Sequence, residues 1–190
     1  ASAVAKRMDV NGVSLAYTEQ GRGSPVVMVH GCCADRRAWE PHREAIAQNH
    51  RFIALDQRYW STAPWPDKGE KYSRETQIED LAAFVRGLGS GPVHLVGWSM
   101  SGTSVLGVAV RYPELVKSVY VYEGGLSTFI TDPADLKAID DDADATFNPV
   151  VPLVKAGDGA AATRLLMDNV NAQPGLFDSF PPAWRAMQLD

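Results

Sequence analysis

Pro92-Val93-His94-Leu95-Val96-Gly97-Trp98-Ser99-Met100-Ser101-Gly102 is the stretch from which the rest of this chain is read. It opens with an apolar run short enough for a buried strand and turns sharply at Gly97-Trp98-Ser99-Met100. It leaves into small residues from Thr103 to Tyr112, a segment of helical length that stops at Pro113. Strand, tight turn with a serine at its apex, then helix is the setting that makes G-x-S-x-G a nucleophile elbow. The turn lifts the Ser99 hydroxyl above the sheet, and the starting helix points free N–H groups and its positive dipole end at the same spot. The last glycine of the pattern is replaced by Ser101, with Gly102 after it. Serine is small enough for a place where strand and helix backbones nearly touch.

Working outward, the chain alternates strand and helix signals. Asn11-Gly12 between alternating residues predicts a hairpin over Met8 to Tyr17 with a type I′ turn. Val26 to Val29 and Phe52 to Leu55 are continuous apolar runs, as in strands buried on both faces. Trp39 to Gln48 fits a helix. From Ser73 to Leu88, Ile78, Leu81, Ala82, Phe84, Val85 and Leu88 recur at helical spacing, and Gly87, Gly89 and Gly91 end that helix. Val116 to Tyr122 reads as one more strand. The pattern predicts an α/β fold, with a mostly parallel sheet covered by helices on both faces. It fills residues 1–126. Residues 127–190 lose the strand signals and show short helices at Val150 to Ala156, Gly159 to Val170 and Pro182 to Leu189. The carboxylates of Asp132, Asp135, Asp140, Asp141, Asp142 and Asp144 read as a solvated face.

Composition narrows the classes. With 190 residues, 45% apolar and 22% charged, the chain is within the range of one globular domain. A net charge of −5 argues against nucleic acid as a partner. No apolar run reaches the roughly 20 residues that span a bilayer. The start, Ala1-Ser2-Ala3-Val4-Ala5-Lys6-Arg7, does not read as a secretory signal. A cytoplasmic protein is expected. The only two cysteines, Cys32 and Cys33, are adjacent, so no disulfide framework is expected, and no Cys/His spacing suggests a zinc site.

Taken together, His30-Gly31 after one strand, Asp56-x-Arg58 after the next and the Ser99 elbow, in that order, resemble the α/β-hydrolase superfamily. The resemblance is close over about residues 5 to 125 and loose beyond. It implies that residues 127–190 begin a helical cap. It also implies that the backbone N–H groups of Cys32 and Met100 form an oxyanion hole, with His30, Gly31 and Trp98 shaping the oxyanion and substrate side. The family's Asp-x-Arg-Gly-His-Gly departs after Arg58, where Tyr59, Trp60 and Ser61 stand. The two aromatics either line a substrate pocket or pack beneath the cap. Glu123, at the end of the strand after the elbow helix, is either the triad acid or a buried hydrogen-bonding carboxylate.

A serine nucleophile needs a general base. In this fold the order along the chain is nucleophile, acid, histidine. His30 belongs to the oxyanion loop, His42 and His50 flank the following helix, and His94 lies in the strand before Ser99. No histidine follows Ser99. The expectation is therefore a serine hydrolase of a small ester, lactone or similar acyl substrate, a carboxylic ester hydrolase in type. A second chain from the remainder of the same protein would complete it and supply the histidine. The ending inside a helical pattern, without a Gly or Asn stop, fits that expectation. No metal or organic cofactor is required. Acyl transfer, C–C bond hydrolysis and cofactor-free perhydrolysis suit the same scaffold. A non-catalytic binding protein or receptor is the alternative of another class.

Overall fold

A computed structural model describes residues 4–60, 63, 65, 67–125 and 127–190. Ser61 lies outside the described residues. The chain divides into two compact units, residues 1–125 and 126–190.

The first unit is a six-stranded sheet in the order β1-β2-β4-β3-β5-β6. Its strands are β1 (Val4–Val10), β2 (Val13–Gln20), β3 (Pro25–Val29), β4 (Arg51–Leu55), β5 (Val93–Trp98) and β6 (Val116–Tyr122). The β1–β2 hairpin closes through Asn11-Gly12, with φ of +45° and +80°. Left-handed backbone at both central residues is what a type I′ turn needs, and Asn and Gly adopt it most readily. β2 joins β4 antiparallel, whereas β4, β3, β5 and β6 run parallel.

Side chains alternate across the sheet, so each apolar strand feeds two layers. On one face Val27, Val29, Ile53, Leu55, Val93 and Leu95 pack with Ile78, Leu81, Phe84 and Val105. The last four belong to helices α2 (Arg74–Gly87) and α3 (Ser101–Arg111). On the other face Met28, Phe52 and Ala54 pack with Trp39, just before α1 (Glu40–Ala47). Ser73 caps α2 by accepting from Thr76 N–H at 3.0 Å. Gly89, at φ +61°, turns the chain out of that helix. The helix expected over Trp39 to Gln48 is α1, one residue shorter at each end, and a 3₁₀ turn, Arg36–Trp39, capped by Asp35, precedes it.

One buried ion pair fastens the strand ends to this layer. Arg58 donates to both oxygens of Asp80, at 2.6 and 2.9 Å, and both residues are almost wholly buried. Asn11 donates to Asp80, and Gln77 donates to the Arg58 carbonyl. The Asp56-x-Arg58 signature is structural here: Asp56 accepts from the backbone and guanidinium of Arg36, and Arg58 donates to the Asp80 carboxylate on α2.

The second unit is helical: α4 (Pro133–Phe147), α5 (Val151–Lys155), α6 (Gly159–Val170), α7 (Leu176–Ser179) and α8 (Pro182–Leu189). The expected short helices are α5, α6 and α8. The 15-residue α4 runs through the acidic stretch, where the sequence reading expected only a solvated face. The carboxylates are indeed exposed, but Asp132 caps the helix from outside and Pro133 starts it. That Asp-Pro pair outweighs the poor helix propensity of the aspartates that follow. Asp168 accepts from Gly175 and Phe177 N–H, holding the turn into α7. Among the described residues no helix is long and apolar enough to cross a membrane.

Candidate active site

The parallel register decides which loop residues meet. Val29 of β3 pairs with Gly97 of β5, and Trp98 of β5 pairs with Tyr122 of β6. The residues following those pairs therefore emerge side by side at the carboxyl edge of the sheet: His30-Gly31-Cys32, Ser99-Met100 and Glu123. The chain leaves β3 toward β4 on one side and returns to β5 on the other. Crevices at such a reversal are where open α/β sheets bind ligands.

Ser99 sits at φ +54°, in left-handed backbone that a residue with a β-carbon rarely adopts. Its N–H donates to the Tyr122 carbonyl at 2.9 Å, and its carbonyl accepts from Gly102 N–H at 2.9 Å. Three close approaches make the turn possible. Gly97 faces α3, where a β-carbon would lie 2.7 Å from Val105 Cγ2. Gly102 faces β6, where it would meet Val121 Cγ1 at 2.8 Å. Gly31 lies directly against Ser99 and Trp98.

Ser101, the departure from the motif, is fully buried and hydrogen-bonded. Its hydroxyl lies 2.7 Å from the Val29 carbonyl and 3.0 Å from the Trp98 carbonyl, and it accepts from Trp98 N–H at 2.8 Å. The serine thus ties the elbow to the end of β3, which a glycine could not do.

The structure places every sequence-selected residue of the site in the first unit. Cys32 follows Gly31, which lies against Ser99, and Met100 follows Ser99; both are half-buried, and among the described residues neither backbone N–H is engaged. Backbone donors left free next to a serine suit a developing oxyanion. Glu123 stands beside Ser99 at φ +49°, but it is exposed. Within these 190 residues β6 is the last strand of the sheet, and Tyr120 and Tyr122 are open to solvent as well. Trp98 turns to the α1 face and packs edge-on against Trp39.

The histidines do not reach Ser99. His30 is fully buried, and both ring nitrogens are occupied. Gln57 N–H donates to Nε2 at 3.1 Å, so the proton is on Nδ1, which donates to the Gly31 carbonyl at 2.8 Å. Gln57 also donates to the His30 carbonyl. Burial pulls the His30 pKa down to about 4, so the ring is neutral and braces the loop. His42 is exposed beside Trp39. His94 lies near the start of β5, bonded to Ser118, with His50 against it. Five residues of strand, about 16 Å, separate His94 from Ser99.

Tyr59 and Trp60 join a cluster that local sequence did not reveal. Tyr59 meets Trp65 at 5.3 Å and Tyr72 at 6.0 Å, and Trp60 meets His30 and Tyr72. The Tyr72 hydroxyl reaches Met100 Sδ at 3.4 Å, which puts the cluster beside the elbow. Buried Nε1–H groups of Trp60 and Trp65 have no partner among the described residues. Tyr72 precedes the Ser73 cap and carried no signal of its own. Among the described residues no three of His, Cys, Asp and Glu converge as metal ligands.

Comparison with known proteins agrees with this geometry. The pattern of the alpha/beta hydrolase fold family matches residues 24–178, and the chain belongs to that family. It is 32% identical over 157 residues to 2-hydroxy-6-oxo-6-(2'-aminophenyl)hexa-2,4-dienoic acid hydrolase of Metapseudomonas resinovorans, covering 80% of this chain and 53% of the relative. It is 29% identical over 116 residues to 2-(acetamidomethylene)succinate hydrolase of Mesorhizobium japonicum, covering 61% of this chain and 41% of that one. A solved E-2-(acetamidomethylene)succinate hydrolase shares the fold at a TM-score of 0.70 and 22% identity, over 99% of this chain and 63% of its own. A serine hydrolase involved in carbazole degradation superposes at 0.62 with 28% identity, over 82% and 56%. The chain spans about half the length of the curated relatives it matches.

Proposed function

We propose that this chain carries the nucleophile half of a serine hydrolase that cleaves a small acyl substrate. The observation that carries the reading is Ser99, held in left-handed backbone between a hydrogen bond to Tyr122 and the face of Gly31. Strain of this kind at a hydroxyl, beside two free N–H groups, suits covalent catalysis. Ser99 Oγ attacks the acyl carbon, and the carbonyl oxygen accepts hydrogen bonds from Cys32 and Met100 N–H. The leaving group departs with a proton, an acyl-serine remains, and water releases the acid.

The base is a histidine on polypeptide outside these 190 residues, which also continues the sheet beyond β6. Glu123 orients that histidine, and residues 127–190 begin the helical cap. The substrate is an ester, a lactone or a carbon–carbon bond next to a carbonyl. Support for the last comes from the relative named as a hydrolase of an oxo-dienoic acid. Some relatives are named as epoxide hydrolases. A serine that opened an epoxide would be left as an ether, which water does not release, so Ser99 favours acyl chemistry.

The test is a fluorophosphonate probe on the protein together with the polypeptide that follows residue 190. One label per chain at Ser99, absent from Ser99→Ala, is the expected result. An unlabelled Ser99 in that assembly would sink the reading in favour of a binding protein.

A further inference from the structure

We propose that Cys32 and Cys33 form a dithiol modification site, which a hydroperoxide closes reversibly to a disulfide between the two neighbours. Along a regular strand adjacent side chains point to opposite faces. Here Cys33 adopts φ +53°, and the turn brings both side chains to one side, with their sulfurs 3.5 Å apart. Both cysteines are free and only half-buried, so a small oxidant reaches them.

The pair is polarised. The hydrogen bond between the sulfurs pushes the Cys32 thiol up, with burial acting in the same direction, and holds Cys33 down. Cys33 is thus the more acidic of the two thiols and the first to react. The Cys33 sulfur attacks the peroxide and takes one oxygen as a sulfenic acid, with release of an alcohol or water. The Cys32 sulfur then displaces that oxygen as water. Two thiols and one hydroperoxide give one disulfide, one water and one alcohol (a second water where the oxidant is hydrogen peroxide).

The product is easily reversed. Neighbouring Cα atoms are about 3.8 Å apart, closer than the roughly 4.4–6.8 Å of ordinary disulfides. Strained disulfides are the readily reduced ones, as a reversible site requires. Closure must also shift the Cys32–Cys33 peptide beside Ser99, so the oxidised form holds an oxyanion less well. This last consequence rests on the role proposed above for the Cys32 N–H.

The experiment treats the chain with one equivalent of hydrogen peroxide, blocks residual thiols with N-ethylmaleimide, and reads the intact mass. The expected product has lost two hydrogens and takes up no maleimide. Peptide mapping places the loss at residues 32–33, and dithiothreitol restores both thiols. Cys33→Ser cannot close a disulfide and should react more slowly than the unaltered protein, because the thiol it keeps is the less acidic of the two. Cys32→Ala, lacking the second sulfur, should instead gain oxygen at Cys33. Oxygen uptake or chain-to-chain dimers in the unaltered protein, or equal rates for Cys33→Ser, overturn the proposal. The mass readout does not involve turnover, so an inert Ser99 would remove the oxyanion consequence and leave the dithiol result standing.

Discussion

A β-carbon built on Gly31 would lie 3.2 Å from the Ser99 Cβ and 3.2 Å from the Trp98 carbonyl oxygen. The loop after β3 and the elbow after β5 are thus in backbone contact, and neither can move without the other. Gly31 does not have a positive φ, so replacing it tests the contact alone. Gly31→Ala should cost about 1–3 kcal/mol, the usual range for overpacking. It should also slow fluorophosphonate labelling of Ser99, because relief of the clash displaces the Cys32 N–H. Urea unfolding and labelling rates check the two effects. Unchanged values for both would mean that the loop stands farther from Ser99.

The left-handed backbone at Ser99 predicts a separation of stability from chemistry. Ser99→Ala keeps the β-carbon and should unfold at nearly the same urea concentration as the unaltered chain. Ser99→Gly should be about 1 kcal/mol more stable than Ser99→Ala, since glycine adopts φ +54° without steric cost. Both variants should lose labelling entirely. An alanine variant as stable as the glycine variant would show that the turn is relaxed in solution.

Ser101 predicts the opposite pattern. Ser101→Ala removes the buried hydroxyl that accepts from Trp98 N–H and lies 2.7 Å from the Val29 carbonyl. The expected loss is about 1–2 kcal/mol, the cost of removing buried hydrogen bonds. Ser101→Gly restores the usual motif but not the hydrogen bonds, and it should be no more stable than Ser101→Ala. Equilibrium unfolding of the two variants decides this.

His30 makes stability depend on acid. Its folded pKa lies near 4, against an ordinary value of 6.5, because burial disfavours the charged ring. Between those values the unfolded chain binds the extra proton, so stability rises with pH across the window and is fully present above about 6.5. Crossing it downward should remove on the order of 3 kcal/mol from this residue. His30→Gln cannot take up that proton, and its loss of stability between pH 7 and pH 4.5 should be smaller than that of the unaltered chain. Equal losses, measured by urea unfolding at both pH values, would mean that His30 is not buried neutral.

The buried pair of Arg58 and Asp80 should be costly to halve. Asp80→Ala strands a guanidinium that is almost wholly buried, with an expected loss of about 3–5 kcal/mol. Replacing both partners by apolar residues should recover part of that loss, as thermal melts of the single and double variants would show. A double variant less stable than Asp80→Ala would mean that Arg58 is held by its other contacts.

Local sequence alone determined a good deal of this protein. The Asn11-Gly12 turn, the apolar runs of β3, β4 and β5, and the helical spacing of α2 depend on near neighbours, and their physics is written into consecutive residues. The strand–serine–helix arrangement at Ser99 was legible for the same reason. Helix α4 is not legible from local propensity because its aspartates are poor helix formers and only the Asp132-Pro133 start marks it. What only the tertiary structure decided is which distant residues share an edge. The pairing of Val29 with Gly97, and of Trp98 with Tyr122, brings Gly31, Ser99 and Glu123 together. Long-range contact likewise makes Ser101 a tie to β3, leaves His30 neutral and places Tyr72 beside Met100. Sheet register and burial are properties of the whole packed layer, and no stretch of sequence carries them by itself.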